Sequence, residues 1–338
     1  MKTDEHAEPG AEEPPDTKYT TGNTMCVRRI SRLDVAEKVW RAVVQPHCVF
    51  DVWDFREAFW KACGSPAVHF VTAYQNEEPI ALLPLQYKPN GSLEFFGGEF
   101  MEDNTCYTTP SAPYAATDML LKELKAPLAL AGMSSALQST ECHLDDYKYT
   151  LQLGAYSHYE QYLQERFSHK SCKKILRRVQ KLEEKGVTVE TGNPEDIATL
   201  MHLNRESFGK ESWFADPLFC SAFQSLVHLP GIQSHLFTFR LKGGIVGVSL
   251  AAEAGGTYTC LLSGKNVIRL ENIGTFIFLN NMQHALRTGA KTLDACMGNY
   301  NWKEVMHMER TPSFQLVQPS PLTIKLFPLS APLVHASV

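Results

Sequence analysis

The hydrophobic pattern alternates between extended and helical segments from residue 24 onward. Apolar residues in short runs or at every second position predict strands, and apolar residues spaced by three and four predict amphipathic helices. In the first half this rule predicts strands at 24–30, 67–75, 80–87, 93–97 and 128–133, and helices at 33–44, 51–63 and 115–125. Turn-forming residues at 76–79 and 89–92 join consecutive strands. Mixed strands and helices in this order predict an α/β protein.

The second half repeats this order of elements. Strands are predicted at 233–241, 245–252 and 258–263, followed by a helix at 275–288 and a strand at 291–296. Asn76 then corresponds to Lys242, and Gly97 to Gly264, at an offset of about 166 residues. An approximate internal duplication is the simplest explanation. The alternative is that two unrelated α/β domains share a three-stranded meander by chance.

Four helices are predicted before the second meander, at 157–167, 170–185, 194–208 and 217–229. The helix at 170–185 is strongly basic on one side and apolar on the other. Its cationic stripe contains Lys170, Lys174, Arg177, Lys181 and Lys185, with Arg178 beside it. Such a stripe can bind the phosphates of a cofactor, a nucleic acid or an anionic lipid surface. It can equally be a solvated face that neighbouring glutamates partly neutralise.

Composition narrows the class of protein. The chain has 338 residues, of which 44% are hydrophobic and 20% charged, with a formal net charge of -5. These values are typical of a globular protein with two ordinary domains or one large domain. No apolar run has the length of a membrane span. The nine cysteines are dispersed without a Cys-x-x-Cys pair, which predicts reduced thiols and no structural metal site.

Residues 1–23 are acidic and almost without large apolar side chains. This composition predicts a disordered tail, because it offers too little apolar surface to offset the entropy lost on ordering. It has neither the apolar core of a secretory signal nor the basic character of a transit peptide. We therefore expect a cytoplasmic location.

Two segments of the second half are candidates for chemistry. At 269–279 a strand ends and an apolar helix begins, and the free N–H groups of such a helix start suit a pyrophosphate. The alternative is a simple loop and helix cap, and Glu271 adds a negative charge there. At 294–303 an acid, a glycine turn, two aromatics and a lysine follow a strand, as a polar pocket requires. The alternative is a turn with an exposed lysine.

Taken together, these segments resemble a known family. The stretch from Phe50 to Trp60, the run Ala81-Leu-Leu-Pro-Leu85, and Phe95-Phe-Gly97 with the later Asp103 are similar to motifs of the bacterial CelD/BcsL-like acetyltransferases. The same family has motifs similar to three later segments: the basic helix ending at Gly186, the start of the later helix at 272–274, and the segment 294–303. The characteristic domain of that family belongs to the GNAT superfamily. A more distant resemblance is to the FemABX aminoacyltransferases.

The resemblance implies tandem GNAT-like domains, each a mixed, largely antiparallel sheet flanked by helices. We expect an N-terminal domain at 24–150 and a C-terminal domain at 151–330 that contains the basic helix at 169–185. In GNAT enzymes the motif Arg/Gln-x-x-Gly-x-Gly/Ala binds the pyrophosphate of coenzyme A. Residues 269–274 match it except that Asn272 replaces the first glycine. In FemABX-like proteins a lysine after an aromatic residue contacts substrate phosphates, and Lys303 after Trp302 occupies the similar place.

These observations lead to one main hypothesis. The protein is expected to move an acyl group, most simply acetyl, from a coenzyme A thioester to an amine or hydroxyl of a sugar or other polar metabolite, as in polysaccharide or cell-envelope metabolism. The hypothesis assigns Arg269, Asn272, Gly274 and Thr275 to the cofactor, Lys303, Asp294 and Tyr300 to catalysis, and Asp103, Lys174, Arg177 and Trp302 to the substrate. No metal is expected. Asp103 matches the family less closely, because asparagine follows it where tyrosine is usual.

Two alternatives stay open. Aminoacyl transfer from a charged tRNA is favoured by the basic helix and by the FemABX resemblance, and ranks below the acyl-CoA hypothesis. A catalytically silent GNAT-like module that binds a partner of polysaccharide synthesis is favoured by Asn272 in place of glycine.

Overall fold

Helices and strands follow one another through the three described segments of the chain. The computed structural model describes residues 25–135, 142–266 and 270–318, and the predicted acidic tail lies outside these residues. The strands are β1 Met25–Ile30, β2 Phe70–Gln75, β3 Glu78–Leu83, β4 Leu85–Tyr87, β5 Leu93–Phe95, β6 Tyr107–Thr108, β7 Leu128–Met133, β8 Cys142–Gln152, β9 Val187–Thr191, β10 Gln233–Leu241, β11 Gly244–Ala254, β12 Thr257–Lys265, β13 Thr292–Met297 and β14 Glu309–Gln318. The α-helices are α1 Leu33–Val43, α2 Trp53–Ala62, α3 Ala115–Lys122, α4 Tyr159–Arg166, α5 His169–Glu184, α6 Asp196–Phe208, α7 Pro217–Leu226, α8 Ile273–Thr288 and α9 Asn301–Val305.

The strands form two sheets. The smaller sheet has the order β1-β2-β3-β6, and the larger has the order β4-β5-β7-β14-β8-β13-β12-β11-β10-β9. Within the described segments, the pairs β5–β7 and β12–β13 are parallel and the other pairs are antiparallel. Helices α5 and α8 pack on one face of the larger sheet, and α6 packs on the opposite face. The predicted mixed and largely antiparallel architecture is confirmed.

The first meander differs from the prediction because one predicted strand is divided at Pro84. The pattern predicts a single strand at 80–87, but the structure has two strands separated by the buried Pro84. Strand β3 lies in the smaller sheet and β4 lies in the larger one. Proline lacks the N–H that a central ladder requires, which allows the chain to pass from one sheet to the other here.

The second meander has the predicted order β10-β11-β12, followed by α8 and β13. Strand β12 runs to Lys265, but its parallel pairing with β13 covers only Thr257–Thr259 against Thr292–Asp294. Beyond these residues the two strands no longer bond to each other. The facing edges of β12 and β13 are therefore no longer joined by a ladder beyond this point.

Strands β8 and β14 are central to the larger sheet, and the hydrophobic pattern does not predict either of them. Charged residues interrupt the apolar alternation in β8, and β14 contains Pro312 at a register shift. A bulge of this kind lets a proline occupy an otherwise paired strand. The pattern also does not predict β9.

One sheet joins the two halves of the chain. Strand β14 pairs with β7 on one side and with β8 on the other. The expected division at residue 150 falls within β8. The aromatic helix α2 also contacts both halves, because its Phe59 stacks on Phe100 and meets Phe223 of α7 edge to face. In the described part of the chain no helix has the length and hydropathy required to cross a bilayer.

Candidate active site

A cavity of about 1000 Å³ opens where β12 and β13 stop pairing. One side consists of β12, the end of β13, α9 and the first turns of α8. The other side comes from the first half of the chain, with the loop at 98–102, strand β7 and the start of β8. The two halves therefore enclose the cavity between them.

The start of α8 lines one part of this cavity. Asn272 precedes the helix in the left-handed conformation, with φ +65°, and its side chain makes no capping hydrogen bond. Gly274 and Thr275 follow in the first turn and line the cavity. N–H groups in a first turn have no acceptor within the helix, and the helix dipole adds partial positive charge. The predicted Arg269 lies outside the described residues.

Lys265 adds a full positive charge at the same place. It is the last residue of β12 and lines the cavity. A Cβ built on Gly274 would lie 3.1 Å from its Nζ, so the ammonium lies over the first turn of α8. Burial lowers the pKa of Lys265. Among the contacts of the described residues, its Nζ has no carboxylate partner. Lysine and helix start together form a site suited to an anion.

Lys303 is buried. Only 2% of this residue is exposed, and its Nζ donates to the carbonyl oxygens of Cys296 at 2.9 Å and Met297 at 2.8 Å. The ammonium also lies 5.0 Å from the ring centre of Tyr149. Burial lowers the pKa of Lys303. The alternative of an exposed lysine is therefore wrong, and the side chain holds the end of β13 in place while lining the cavity.

Tyr300 and Trp302 form the aromatic rim of the cavity. Both are half-exposed and both line it. The ring of Tyr300 covers Gly298, where a Cβ would come within 2.6 Å of it. The ring of Trp302 meets Phe278 of α8 edge to face. The structure thus brings Tyr300, Trp302 and Lys303 together with the start of α8.

A buried charge cluster of Glu102, Asp103, Lys148 and Asp294, here called the carboxylate cluster, lies next to the end of β13. The Nζ of Lys148 is 2.8 Å from Asp294 Oδ2 and 3.6 Å from Glu102 Oε2, and it contacts the Asp103 carboxylate. Asp294 Oδ1 accepts the N–H of Cys296. Asp294 and Asp103 do not line the main cavity, whereas Glu102 does.

Burial and neighbouring charges shift the pKa values of Asp294, Glu102 and Lys148. Burial raises the pKa of Asp294, and it raises the pKa of Glu102 to about 7. Burial acts to lower the pKa of Lys148, but the carboxylates of Asp294, Asp103 and Glu102 outweigh burial and raise it. A single ammonium thus offsets three carboxyl groups in a region that is nearly closed to solvent.

The same region is the one place in the described chain where metal-binding side chains converge. Ligand atoms of Glu102, Asp294 and Cys296 lie within 4.8 Å of one another. The ammonium of Lys148 already lies beside the two carboxylates and supplies the positive charge. Burial raises the pKa of the Cys296 thiol, which disfavours the thiolate that a metal requires. We therefore assign this group to the ion pairs of Lys148.

The basic helix was predicted within one residue at each end, but it lies away from the cavity. Lys174 and Arg177 are exposed on α5 and do not line the cavity. The cations of this helix are Lys170, Lys173, Lys174, Arg177, Arg178 and Lys181. Within the described residues, none of them has a carboxylate partner. Their positive charge is thus open to an external ligand.

Three residues of the site are not predicted from the sequence: Glu102, Lys148 and Lys265. Glu102 is adjacent to the predicted Asp103, and only the fold shows which of the two carboxyls reaches the cavity. Lys148 belongs to a strand that the pattern does not predict. Lys265 follows Gly264 at the end of a predicted strand, and this position at a strand end was its only signal.

Comparison with known proteins supports this architecture. Residues 169–304 match the family model of an acetyltransferase (GNAT) domain. FemX is a similar solved structure, with a TM-score of 0.56 at 11% identity, over 87% of this chain and 97% of that chain. L-PGS from Bacillus licheniformis has a TM-score of 0.54 at 10% identity, over 86% and 92% of the two chains. No curated protein sequence gives a significant match.

A third similar structure is the C-terminal domain of a putative lysylphosphatidylglycerol synthetase from Agrobacterium fabrum. Its TM-score is 0.50 at 13% identity, over 84% of this chain and 92% of that chain. At such identities the likeness concerns the fold. The chain accordingly shares its fold with these structures, and the segment that matches the GNAT acetyltransferase model contributes one side of the cavity.

Proposed function

We propose that this protein is an acyltransferase that uses a coenzyme A thioester. The acyl group, most simply acetyl, passes to an amine or hydroxyl of a small polar acceptor such as a sugar. The observation that carries this proposal is the anion site formed by Lys265 and the first turn of α8, at the edge of the cavity between β12 and β13. The predicted role of Gly274 and Thr275 in binding phosphate is part of the proposal.

The residues present fit both the pyrophosphate and the amide groups of coenzyme A. Lys265 and the N–H groups of Gly274 and Thr275 would hold the pyrophosphate. Beyond Thr259, strand β12 has no ladder partner on the side that faces β13, and its backbone groups there can bond to the amides of an extended ligand. Such a ligand would bring its thioester to the end of β13.

The chain's contribution to the reaction is mainly positioning. Lys303 fixes the carbonyl groups at the end of β13, and Asp294 fixes the N–H of Cys296. Tyr300 and Trp302 border the cavity, where Tyr300 would orient the acceptor and Trp302 would exclude water. Holding the acceptor nitrogen or oxygen against the thioester carbonyl replaces a bimolecular encounter by an oriented one.

Calorimetry with coenzyme A tests the donor. We expect Lys265→Met to lower the affinity about 10-fold or more, because one charge-assisted contact to phosphate is lost. Lys291→Met is the matched control, since Lys291 is exposed and does not line the cavity. No heat of binding at millimolar coenzyme A would remove the thioester donor and favour a non-catalytic module.

The second candidate is aminoacyl transfer from a charged tRNA, and α5 favours it. Exposed cations without carboxylate partners on one helix face are suited to a phosphodiester backbone. Neutralising Lys174, Arg177 and Lys181 should weaken tRNA binding and reduce the slope of log affinity against log salt by about one per lost phosphate contact.

Gel shifts at several salt concentrations provide the measurement. Neutralising the exposed Lys122, Lys125 and Lys242 controls for net charge, because these residues lie elsewhere on the molecule. Equal losses in the two triple variants, or no shift with tRNA at all, would count against this second candidate.

A further inference from the structure

Two histidines meet where α8 packs on the larger sheet. His284 belongs to α8 and His235 to β10, and the centres of their rings are 4.4 Å apart. The ring of His235 also stacks on Tyr258 of β12, with ring centres 5.2 Å apart. The ring of His284 meets Phe237 of β10 edge to face at 4.9 Å. Contacts between rings thus join α8 to β10 and β12, and two of these rings can take up a proton.

The histidine pair contains polar atoms that lack hydrogen-bond partners. Within the described residues, His235 Nε2, His284 Nδ1 and Glu253 Oε2 are closed to solvent and make no hydrogen bond. Glu253 of β11 supplies a carboxylate, whose Oε2 lies 3.7 Å from His235 Nε2. A buried imidazolium requires an acceptor for each of its N–H groups. One carboxylate beside two imidazoles cannot compensate a proton on both rings.

The surroundings of the pair oppose protonation. The titratable groups that face it are Glu253 on β11, Tyr258 on β12 and Arg287 on α8. Burial, together with the neighbouring His235 and Arg287, lowers the pKa of His284 to about 4, although Glu253 acts in the opposite direction. Burial also lowers the pKa of His235. Both rings are therefore neutral near pH 7.

A chain of hydrogen bonds connects the pair to the cavity. The hydroxyl of Tyr258 donates to Asn281 Oδ1 at 3.0 Å. Asn281 Nδ2 in turn donates to Ser249 Oγ at 3.2 Å, and both of these residues line the cavity. Helix α8, which carries His284, also begins at the cavity with the anion site described above. A displacement of His284 would therefore move a helix that forms part of the cavity wall.

We propose that His235 and His284 form an acid-sensitive lock between α8 and the larger sheet. Near pH 7 the two neutral rings pack against each other and against Tyr258. On acidification His284 takes up a proton that is not compensated in the buried cluster, and its ring leaves for solvent. The contact between α8 and β10 is then lost, and the cavity wall is no longer held in place. The lock does not depend on which ligand the cavity binds.

The lock predicts a loss of stability over a defined range of pH. The folded-state pKa of His284, about 4, is below its ordinary value of 6.5, so the unfolded chain binds this proton more tightly. The stabilising contribution is therefore complete above about pH 6.5 and is lost as the pH falls toward about 4. One such histidine changes the folding equilibrium constant by about 20-fold between pH 7 and pH 5.

Urea unfolding at pH 7 and pH 5 tests this prediction. Asparagine does not titrate, so the folding equilibrium constant of His284→Asn should fall about 20-fold less between the two pH values than that of the wild type. His235→Asn removes the other ring and should also show a smaller fall than the wild type. His202→Asn is the matched control, because His202 is exposed on a helix, at 62%, and this variant should keep the full wild-type fall.

Hydrogen exchange followed by mass spectrometry tests whether α8 is the element that is released. After correction for the intrinsic effect of pH on exchange, peptides from α8 should lose protection at pH 5 in the wild type and keep it in His284→Asn. Peptides from α6 should keep their protection in both proteins. The same pH dependence of unfolding in the wild type and in His284→Asn would overturn the lock. Equal losses of protection in α6 and α8 would overturn the release of α8.

Discussion

At the scale of single residues, Lys148 connects the two halves of the chain. Its side chain lies between Asp103 from the first half and Asp294 from the second, and it is nearly closed to solvent. A buried ion pair of this kind costs desolvation, but removing one partner leaves the others uncompensated. The carboxyl group of Glu102 at the cavity lies 3.6 Å from the same ammonium.

Lys148→Met should therefore destabilise the protein by about 3–5 kcal/mol near pH 8, where the carboxyls must ionise without a counter charge. Burial already holds the pKa of Asp294 and of Glu102 above their ordinary values, so the folded state binds these protons more tightly than the unfolded state. Stability then falls as pH rises, and the variant should recover part of its loss at pH 5.

Urea unfolding at the two pH values provides the measurement. Lys173→Met is the control, because Lys173 is exposed on α5 and its loss should change the free energy of unfolding by less than about 0.5 kcal/mol. A loss in Lys148→Met that is the same at pH 5 and pH 8 would contradict the assignment of charge imbalance to this cluster.

At the scale of elements, the packing of β12 against α6 positions one wall of the cavity. Gly264 lies near the end of β12, where an added Cβ would lie 2.3 Å from the carbonyl oxygen of Leu200 and 2.9 Å from Cβ of Leu203. The strand thus approaches the helix backbone so closely that a Cβ at position 264 would not fit between them. The next residue along is Lys265, whose ammonium depends on this placement.

Gly264→Ala should cost about 1–3 kcal/mol or more, because the clash is with main chain that cannot rotate away. Gly154→Ala is the matched control, since Gly154 has no atom within 4 Å of the added Cβ and no positive φ. The difference in free energy of unfolding between the two variants measures the effect. Coenzyme A affinity should fall in Gly264→Ala even where the variant is folded. Equal stability of both variants would contradict the close approach.

Most elements of the fold could be predicted from sequence, and the exceptions have specific causes. Helices α5 and α8 are amphipathic or apolar over 16 residues, so their periodicity is unambiguous. Strand β8 carries Lys148, which belongs to the carboxylate cluster, and Asp145 and Asp146, which line the cavity, and these charges interrupt the alternation expected of a strand. Pro312 argues against a central strand at β14, and only the register shift beside it makes the pairing possible.

At the scale of the whole molecule, β14 makes the larger sheet continuous. Leu316 of this strand is 1% exposed and belongs to the apolar core of the first half, although it lies near the end of the described chain. The other neighbour of β14 is β8, which pairs with β13 in the second half. The two halves of the chain are thus expected to unfold together.

Leu316→Ala should lower the free energy of unfolding by about 2–4 kcal/mol, the range for a large-to-small core substitution. Far-ultraviolet circular dichroism and tryptophan fluorescence should report the same transition, because one sheet spans both halves. Val317→Ala is the control, since Val317 is 57% exposed on the same strand. Two separate transitions would show that the halves are independent units.

Local spacing along the chain was enough to predict the alternation of strands and helices, the second meander and the cationic face of α5. It also singled out the segments 269–279 and 294–303, several of whose described residues line the cavity. These features depend on local spacing, which side-chain periodicity records directly. Three features depend on the fold: Lys303 is buried, Asp294 lies behind the cavity wall, and Glu102 meets Met297, 195 residues away along the chain. The reason is physical: burial and charge proximity set the pKa and reach of a carboxyl, and both arise from contacts between segments that no local pattern relates.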